Sequence, residues 1–226
     1  MAVFYVIATP IGNLEDITLR AIRLLKEVDL VLCEDTRVTK RLFEKQAIST
    51  PTMSYHAQSG EAKVELILEQ IEKGKNIALV TDAGTPGISD PGSLLVSKIR
   101  ETYPDLKIEA IPGPSALTAA LSVAGVPTHE FIFLGFMPHK KGRETLFREI
   151  AISERTVVFY ESTHRIIKTL ESLSEHLSST TKKVTVVREI TKIFEEVIQG
   201  TAEEVLKTLT DIPEKQKGEF VVIVSE

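Results

Sequence analysis

The chain has 226 residues, of which 42% are hydrophobic and 26% charged, and its formal net charge at pH 7 is −5. This balance is typical of a folded globular protein and excludes a disordered chain, while a single cysteine, Cys33, excludes a disulfide scaffold. No apolar run approaches the roughly 18 residues of a membrane-spanning helix, and the N-terminal segment has no signal-peptide pattern. The expected location is therefore the cytoplasm, with no membrane partner.

The first half of the sequence alternates short apolar runs with amphipathic segments. The apolar runs predict buried strands at 3–8, 30–33, 77–81 and 107–111. Apolar spacings near 3.6 residues predict helices at about 19–28, 36–45, 60–72 and 91–102. Strands that alternate with helices predict a mostly parallel sheet with helices on both faces.

The segment Pro112-Gly113-Pro114 interrupts this alternation. Two prolines around a glycine make a rigid turn, which predicts a domain boundary there, with an N-terminal domain at 1–112 and a C-terminal domain at 113–226. The second half predicts helices at 116–124, 143–150, 165–176 and 202–209. It also predicts more strand, at 131–134, 156–160, 184–188, 195–200 and 220–224. The expected fold class is α/β, with two α/β domains.

Three turns rich in glycine and proline directly follow predicted strands, at 9–14, 82–92 and 111–116. Ligands of open α/β sheets bind beyond the carboxyl ends of the strands, and glycine lets a ligand approach the backbone closely. The alternative for any single turn of this kind is a plain tight connection between a strand and a helix. The turn at 82–92 is different, since it exceeds the roughly two to six residues that a connection needs. Its glycines, prolines and aspartates favour a binding function.

Charged segments follow two of the predicted strands. In Glu34-Asp35-Thr36-Arg37, carboxylates can move a proton and an arginine can hold an anion. The alternative is a helix cap formed by Asp35 or Thr36. The segment at 160–165, Tyr-Glu-Ser-Thr-His-Arg, has the same two interpretations.

A basic segment, His139-Lys140-Lys141-Gly142-Arg143, lies in a predicted loop. Charge runs of this kind are usually solvated. If this segment borders one cleft together with the basic residues near 37–41, the two would instead suit a polyanion.

Several familiar fingerprints are absent from the sequence. It has no G-x-G-x-x-G and no Walker A motif, which argues against a Rossmann dehydrogenase and a P-loop kinase. Its five histidines are scattered without metal-ligand spacing, so no metal site is expected. It has no G-x-S-x-G elbow, so a serine hydrolase has no support.

Six motifs occur in one order along nearly the whole chain, at 9–16, 34–37, 82–92, 111–116, 159–165 and 188–192. Together they resemble the tetrapyrrole methylase superfamily, the class III S-adenosylmethionine-dependent methyltransferases. Within it they are most similar to the branch that methylates the 2′-hydroxyl of a cytidine in the decoding region of 16S rRNA. The resemblance implies two α/β domains that meet at a cofactor cleft, S-adenosylmethionine as cofactor, 16S rRNA or the 30S subunit as substrate, and a homodimer.

The resemblance also implies which residues hold the cofactor. These are Pro10 in the first loop, Ala83, Gly84, Thr85 and Ile88 around the methionine part, Ser115 and Ala116 closing over it, and Tyr160, Glu161 and Gly200 beside the adenosine.

For the transfer itself, we expect Glu34 or Asp35 to accept the proton of the 2′-hydroxyl and Asn13 to position the substrate. Asp82 is the alternative base, or else it braces its own loop. The expected RNA contacts are basic: Arg37, Lys40, Arg41, Lys140 and Lys141.

Other functions stay open. One is a methylase of the same fold that acts on a tetrapyrrole or on diphthamide; the basic clusters and the motifs at 9–13 and 160–162 favour the RNA branch instead. Another is a non-catalytic module that binds the cofactor or RNA, since Ala57-Gln58-Ser59 stands where the family often has a Glu and an Asn after the histidine that matches His56. An unrelated two-domain nucleotide-binding protein is disfavoured by the missing fingerprints.

Overall fold

The computed structural model describes residues 2–226. They divide into two compact units: unit 1 ends at Ser115, and unit 2 runs from Ala116 to Glu226. The predicted boundary lies slightly earlier, between Pro112 and Gly113. Each unit contains one sheet and its own helices.

Unit 1 is built on a five-stranded sheet. Its strands are β1 (Val3–Ile7), β2 (Leu30–Cys33), β3 (Thr52–Ser54), β4 (Ile77–Leu79) and β5 (Lys107–Ile111). Its helices are α1 (Leu19–Glu27), α2 (Thr36–Gln46), α3 (Glu61–Glu72) and α4 (Gly92–Thr102). The strand order is β3-β2-β4-β1-β5 and every pairing is parallel. The predicted parallel sheet is therefore confirmed, while β3 is an addition that sequence reasoning did not predict.

Helices cover both faces of this sheet. On one face, Leu25 of α1 and Phe43 of α2 pack in a buried cluster with Cys33. On the other, Ile67 of α3 and Leu95 of α4 pack in a second cluster. Strands that are buried on both faces need apolar side chains at nearly every position, which explains the continuous apolar runs. Cys33 is fully buried in this core, as its apolar surroundings in the sequence indicate.

Unit 2 has a mixed sheet. Its strands are β6 (Phe131–Phe136), β7 (Thr156–Ser162), β8 (Lys183–Arg188), β9 (Glu196–Gly200) and β10 (Glu219–Ser225). Its helices are α5 (Ala116–Ala124), α6 (Arg143–Ile152), α7 (Ile166–Leu177) and α8 (Ala202–Asp211). The order is β6-β7-β10-β8-β9; β6 and β7 are parallel, and the other pairs are antiparallel. The predicted elements of this half are all present.

The end of β4 differs from prediction in an informative way. β4 ends at Leu79, whereas the apolar pattern predicts a strand to Thr81. The N–H of Val80 still donates to the carbonyl of Leu32, but the carbonyl of Thr81 accepts from the Thr9 hydroxyl, so the chain has left the ladder there. Short 3-10 helices at Leu14–Asp16 and Pro213–Gln216 were also not predicted.

Within residues 2–226, the helices are too short or too polar to cross a membrane.

Candidate functional site

The loops that leave β1 and β4 are joined at the carboxyl edge of the unit 1 sheet. The N–H of Thr9 donates to the carbonyl of Gly84 at 2.9 Å, and the N–H of Gly84 donates to the carbonyl of Thr9 at 3.0 Å. The Thr9 hydroxyl also donates to the carbonyl of Thr81 at 2.9 Å. Two of the predicted glycine- and proline-rich turns therefore form one connected structure.

Gly84 occupies a conformation that only glycine adopts at little cost. Its φ is +87°, and a Cβ atom there would lie 3.4 Å from Cγ2 of Ile11 and 3.8 Å from the carbonyl oxygen of Pro114. The neighbouring Thr85 hydroxyl donates to that same Pro114 carbonyl at 3.2 Å. The loop after β5 thus joins the other two, and Pro10, Gly84 and Thr85, all predicted cofactor residues, lie in this connected set.

The long turn after β4 is shaped by Asp90. Its carboxylate accepts from the N–H of Gly87 at 2.8 Å and from the N–H of Gly92 at 2.7 Å. A Cβ on Gly92 would lie 2.8 Å from Oδ1 of Asp90, so only glycine fits beside that carboxylate. The extra length of the turn is therefore an ordered, internally bonded structure, and it leaves the predicted cofactor residues Ala83 and Ile88 exposed.

The three carboxylates predicted as catalytic candidates come together at the same edge. The N–H of Asp35 donates to Oδ1 of Asp82 at 2.9 Å, and the Thr81 hydroxyl donates to Oε2 of Glu34 at 3.4 Å. Partial burial raises the pKa of the Glu34 carboxyl, and repulsion from Asp82 and Asp90 raises it further. Glu34 is thus held in a negatively charged, partly dry environment, where its proton is retained to higher pH than usual.

The environment of Asp35, unlike that of Glu34, stabilises the charged carboxylate. Its Oδ1 accepts from the N–H of Arg37 at 2.8 Å and caps α2, and the Arg37 guanidinium lies 2.6 Å from its Oδ2. These hydrogen bonds from Arg37 lower the pKa of Asp35 to about 2. The capping interpretation of this segment is therefore confirmed for Asp35.

The side chains of Asn13 and Arg37 are exposed to solvent. Asn13 is exposed, and its side-chain oxygen accepts from the N–H of Glu15 at 3.1 Å, which caps the first 3-10 helix. The Arg37 side chain is 87% exposed. Lys40 lies 3.8 Å from the carboxylate of Glu44 on the same helix, and Arg41 is exposed.

In unit 2, the predicted adenosine residues occupy different environments. Tyr160 is half-buried, and its ring packs edge-on against Phe133 and Phe136 at centroid distances of 5.0 and 5.4 Å. Burial raises the pKa of its hydroxyl. Gly200 precedes a capping box, and a Cβ there would lie 2.8 Å from Oε2 of Glu204.

The Glu161 side chain points into unit 2 and is completely buried. Its carboxylate contacts Arg165 and Thr169 of the same unit. The helix-cap alternative for this segment is confirmed in position only: Arg165, its last residue, is the N-cap of α7 but makes no side-chain cap hydrogen bond.

Sequence reasoning missed some residues that hold these sites together. Thr9 binds the loop after β1 to the loop after β4, and Asp90 braces the turn in which it lies, although neither was predicted as a site residue. A signal existed for both: each is a hydrogen-bonding residue that directly precedes a proline in a turn containing glycine. Across the described residues, no group of histidine, cysteine, aspartate and glutamate side chains could hold a metal ion.

Comparison with known proteins gives a consistent result. The profile of the family described as Tetrapyrrole (Corrin/Porphyrin) Methylases matches residues 3–206. The chain is 48% identical to the ribosomal RNA small subunit methyltransferase I of Leptospira biflexa, over 98% of this chain and 90% of that protein. It is 40% identical to the enzyme of the same name from Thermotoga maritima, over 100% of this chain and 99% of that protein.

Solved structures agree on the fold. The methyltransferase CobJ covers 100% of this chain and 95% of its own, with a TM-score of 0.71 and 20% identity. A uroporphyrin-III C-methyl transferase from Thermus thermophilus, complexed with S-adenyl homocysteine, covers 100% of this chain and 98% of its own, with a TM-score of 0.65 and 21% identity. At these identities the likeness concerns the fold alone.

Proposed function

The chain belongs to the tetrapyrrole methylase family, and from that premise we propose that it transfers a methyl group from S-adenosylmethionine to the 2′-hydroxyl of a cytidine in the decoding region of 16S rRNA. The observation that carries the proposal is the full-length similarity to ribosomal RNA small subunit methyltransferases I. The likeness to tetrapyrrole enzymes, by contrast, lies in the fold.

The carboxyl edge of unit 1 fits S-adenosylmethionine, which supplies an electrophilic methyl group on a positively charged sulfonium. Repulsion from Asp82 and Asp90 raises the pKa of Glu34, so acidic side chains are concentrated at this edge, and negative charge attracts a cationic ligand. Gly84 lets the backbone of this edge turn tightly against Ile11 and Pro114. We assign the methionine part to Ala83, Gly84, Thr85 and Ile88, with Pro10 beside them.

The remaining cofactor assignments follow the family resemblance. Ser115 and Ala116 are assigned to closure over the cofactor, and Tyr160 and Gly200 to the adenosine. Glu161 keeps a predicted place beside the adenosine only through its backbone, because its carboxylate is fully enclosed within unit 2.

Among the three candidate bases we assign proton acceptance to Glu34. A general base works best when its pKa lies near the working pH, and burial together with Asp82 and Asp90 moves the Glu34 pKa in that direction. Asp35, with a pKa of about 2 and an arginine on its carboxylate, is a weak base. Asp82 accepts from the Asp35 N–H and so braces two loops.

The reaction needs the ribose oxygen in line with the methyl group, and positioning supplies much of the acceleration. We assign that positioning to the exposed Asn13. Arg37, Lys40 and Arg41 on α2 and Lys140 and Lys141 in unit 2 are assigned to phosphates of the RNA. A homodimer and a cytoplasmic location are part of the same proposal, and light scattering coupled to size exclusion tests the dimer.

The test is methyl transfer with labelled S-adenosylmethionine. We expect label to enter 30S subunits from cells that lack the endogenous enzyme and to be recovered as 2′-O-methylcytidine. Matched 30S subunits from cells that contain the enzyme should accept none, because their site is already methylated. Transfer to a porphyrinogen instead would contradict the proposal, and calorimetric cofactor binding without transfer to either would indicate a non-catalytic module.

A further inference from the structure

A buried ionic cluster lies in unit 2, around the end of β7. The Glu161 side chain has no exposed surface. Its Oε1 accepts from the N–H of Ser162 and lies 2.8 Å from Nε of Arg165. Its Oε2 accepts from the Thr169 hydroxyl at 2.7 Å and lies 3.8 Å from Nη1 of Arg143. We call Glu161, Arg143, Arg165 and Thr169 the Glu161 cluster.

Both arginines of the cluster also bind the backbone where β6 ends. Nη1 of Arg165 donates to the carbonyl of Met137 at 2.7 Å, and Nη1 of Arg143 donates to the carbonyl of Pro138 at 3.2 Å. Nη2 of Arg143 donates to the Thr169 hydroxyl at 2.7 Å. The buried carboxylate therefore orients two guanidinium groups, and these fix the course of the chain at 137–138.

The chain that follows is the basic loop, residues 139–142. Lys140 and Lys141 are exposed, and neither has a carboxylate partner among the ion pairs of residues 2–226. The N–H of Arg143 donates to the carbonyl of Lys140 at 3.3 Å, and Gly142 adopts a φ of +84° that permits the tight return. The loop is thus anchored before and after its two lysines.

Burying a carboxylate and two guanidinium groups is costly, and well-packed apolar residues of similar volume often give equal or greater stability. What this cluster provides, and an apolar core would not, is directed hydrogen bonds to two loop carbonyls. We propose that the Glu161 cluster positions the basic loop so that Lys140 and Lys141 bind phosphates of the RNA substrate, which makes the side chain of Glu161 a positioning group for RNA. The inference rests on the proposed function, since it takes RNA as the substrate.

The experiment compares Thr169→Val with Thr169→Ser. Valine has the shape of threonine without the hydroxyl that joins Glu161 to Arg143, whereas serine keeps that hydroxyl. For each variant, binding to unmethylated 30S subunits is measured across a salt series, and cofactor affinity is measured by calorimetry. A Lys140→Ala/Lys141→Ala double variant reports what the loop contributes.

We expect the double lysine variant to reduce the slope of log K against log salt by roughly 1.4 to 1.8, since each lost phosphate contact removes about 0.7 to 0.9. Thr169→Val should reduce the slope too, Thr169→Ser should not, and adding Thr169→Val to the double lysine variant should change nothing further. Cofactor affinity should stay within about twofold in all of them.

Three results would overturn the inference: an unchanged slope in the double lysine variant, an unchanged slope in Thr169→Val, or a loss of cofactor affinity in Thr169→Val without a change in slope. If Thr169→Val does not fold, Arg143→Lys replaces it and should reduce the salt slope in the same way. Lysine keeps the charge but lacks the forked guanidinium that reaches both Pro138 and Thr169. Failure of the proposed function would give a different result. If the salt slope of 30S binding depends on Lys140 and Lys141 but the wild-type protein transfers no methyl group, the activity is contradicted and the assignment of the loop to RNA binding stands.

Discussion

The backbone N–H of Asp35 donates a 2.9 Å hydrogen bond to Oδ1 of Asp82. This bond ties the loop after β2 to the loop after β4, and it places the negative charge of Asp82 near Glu34. Asp82 therefore both braces the two loops and raises the pKa of Glu34, the residue to which we assign proton acceptance.

Replacing Asp82 by Asn separates these two effects, because the amide oxygen still accepts from Asp35 while the charge is removed. Burial and then Asp82 are the largest causes of the raised Glu34 pKa, so the pKa should fall in Asp82→Asn. A base works when deprotonated, and activity is lost as the pH drops through its pKa. The acidic limb of kcat/KM should therefore move to lower pH. Asp90→Asn should shift it in the same direction by less. An unmoved limb would remove Glu34 from the role of base.

Glu34→Gln should lower kcat by about 10²- to 10⁴-fold, the usual contribution of a general base. Cofactor affinity should change little, because the glutamine keeps the volume and one acceptor oxygen. The matched variant is Asp35→Asn, which keeps a good cap for α2 and should lower kcat by much less. Single-turnover rates and calorimetric cofactor binding provide the measurement. A larger loss in Asp35→Asn than in Glu34→Gln would transfer the role to Asp35.

Gly84→Ala should both destabilise the protein and weaken cofactor binding. The left-handed φ of +87° costs a side chain about 1–2 kcal/mol, and the new methyl group would stand in the connected loops near Ile11 and Pro114. Gly74 is the control, because its φ is +81° and a Cβ there meets nothing within 4 Å. Gly74→Ala should lose similar stability in urea titrations and keep its cofactor affinity. Equal cofactor affinity in the two variants would count against the assignment of the 83–88 segment.

Arg37→Ala should raise KM for 30S subunits and lower the salt slope of RNA binding by about 1, as expected for one lost phosphate contact. The control is Arg23→Ala. Arg23, like Arg37, is an exposed arginine bound to a carboxylate, here Glu27 at 2.7 Å. We expect no change in the slope for Arg23→Ala. The same slope in both variants would mean that Arg37 serves only Asp35.

Most helices and strands could be predicted because apolar periodicity follows burial directly. β3 could not, since Thr52–Ser54 is a three-residue edge strand that follows Pro51 and has only partial burial. What makes it a strand is its pairing with β2, where Leu32 pairs with Met53 and Cys33 with Ser54, and a pairing between such distant residues leaves no local pattern.

The candidate site was predictable in its location and less so in its chemistry. Parallel strands end at one edge, so the loops after β1, β2, β4 and β5 had to meet. Whether Glu34 or Asp35 is the more basic depends on Arg37, Asp82 and the degree of burial. The enclosed carboxylate of Glu161 depends on Arg143, which lies on a different element from β7. Interactions between distant segments therefore decide both which carboxylate is the more basic and how Glu161 is enclosed.

The position of β10 in the second sheet has a consequence for biosynthesis. β10 spans Glu219–Ser225, yet it lies in the middle of the sheet between β7 and β8. A nascent chain therefore cannot complete this sheet until these residues have left the ribosomal tunnel. Until then, the edges of β7 and β8 that pair with β10 have no partner strand. The first sheet needs nothing beyond β5, so unit 1 can fold before β10 has been synthesised, whereas unit 2 cannot complete its sheet until β10 is available. Stalling translation before residue 219 should leave unit 1 protease-resistant and unit 2 open to cleavage.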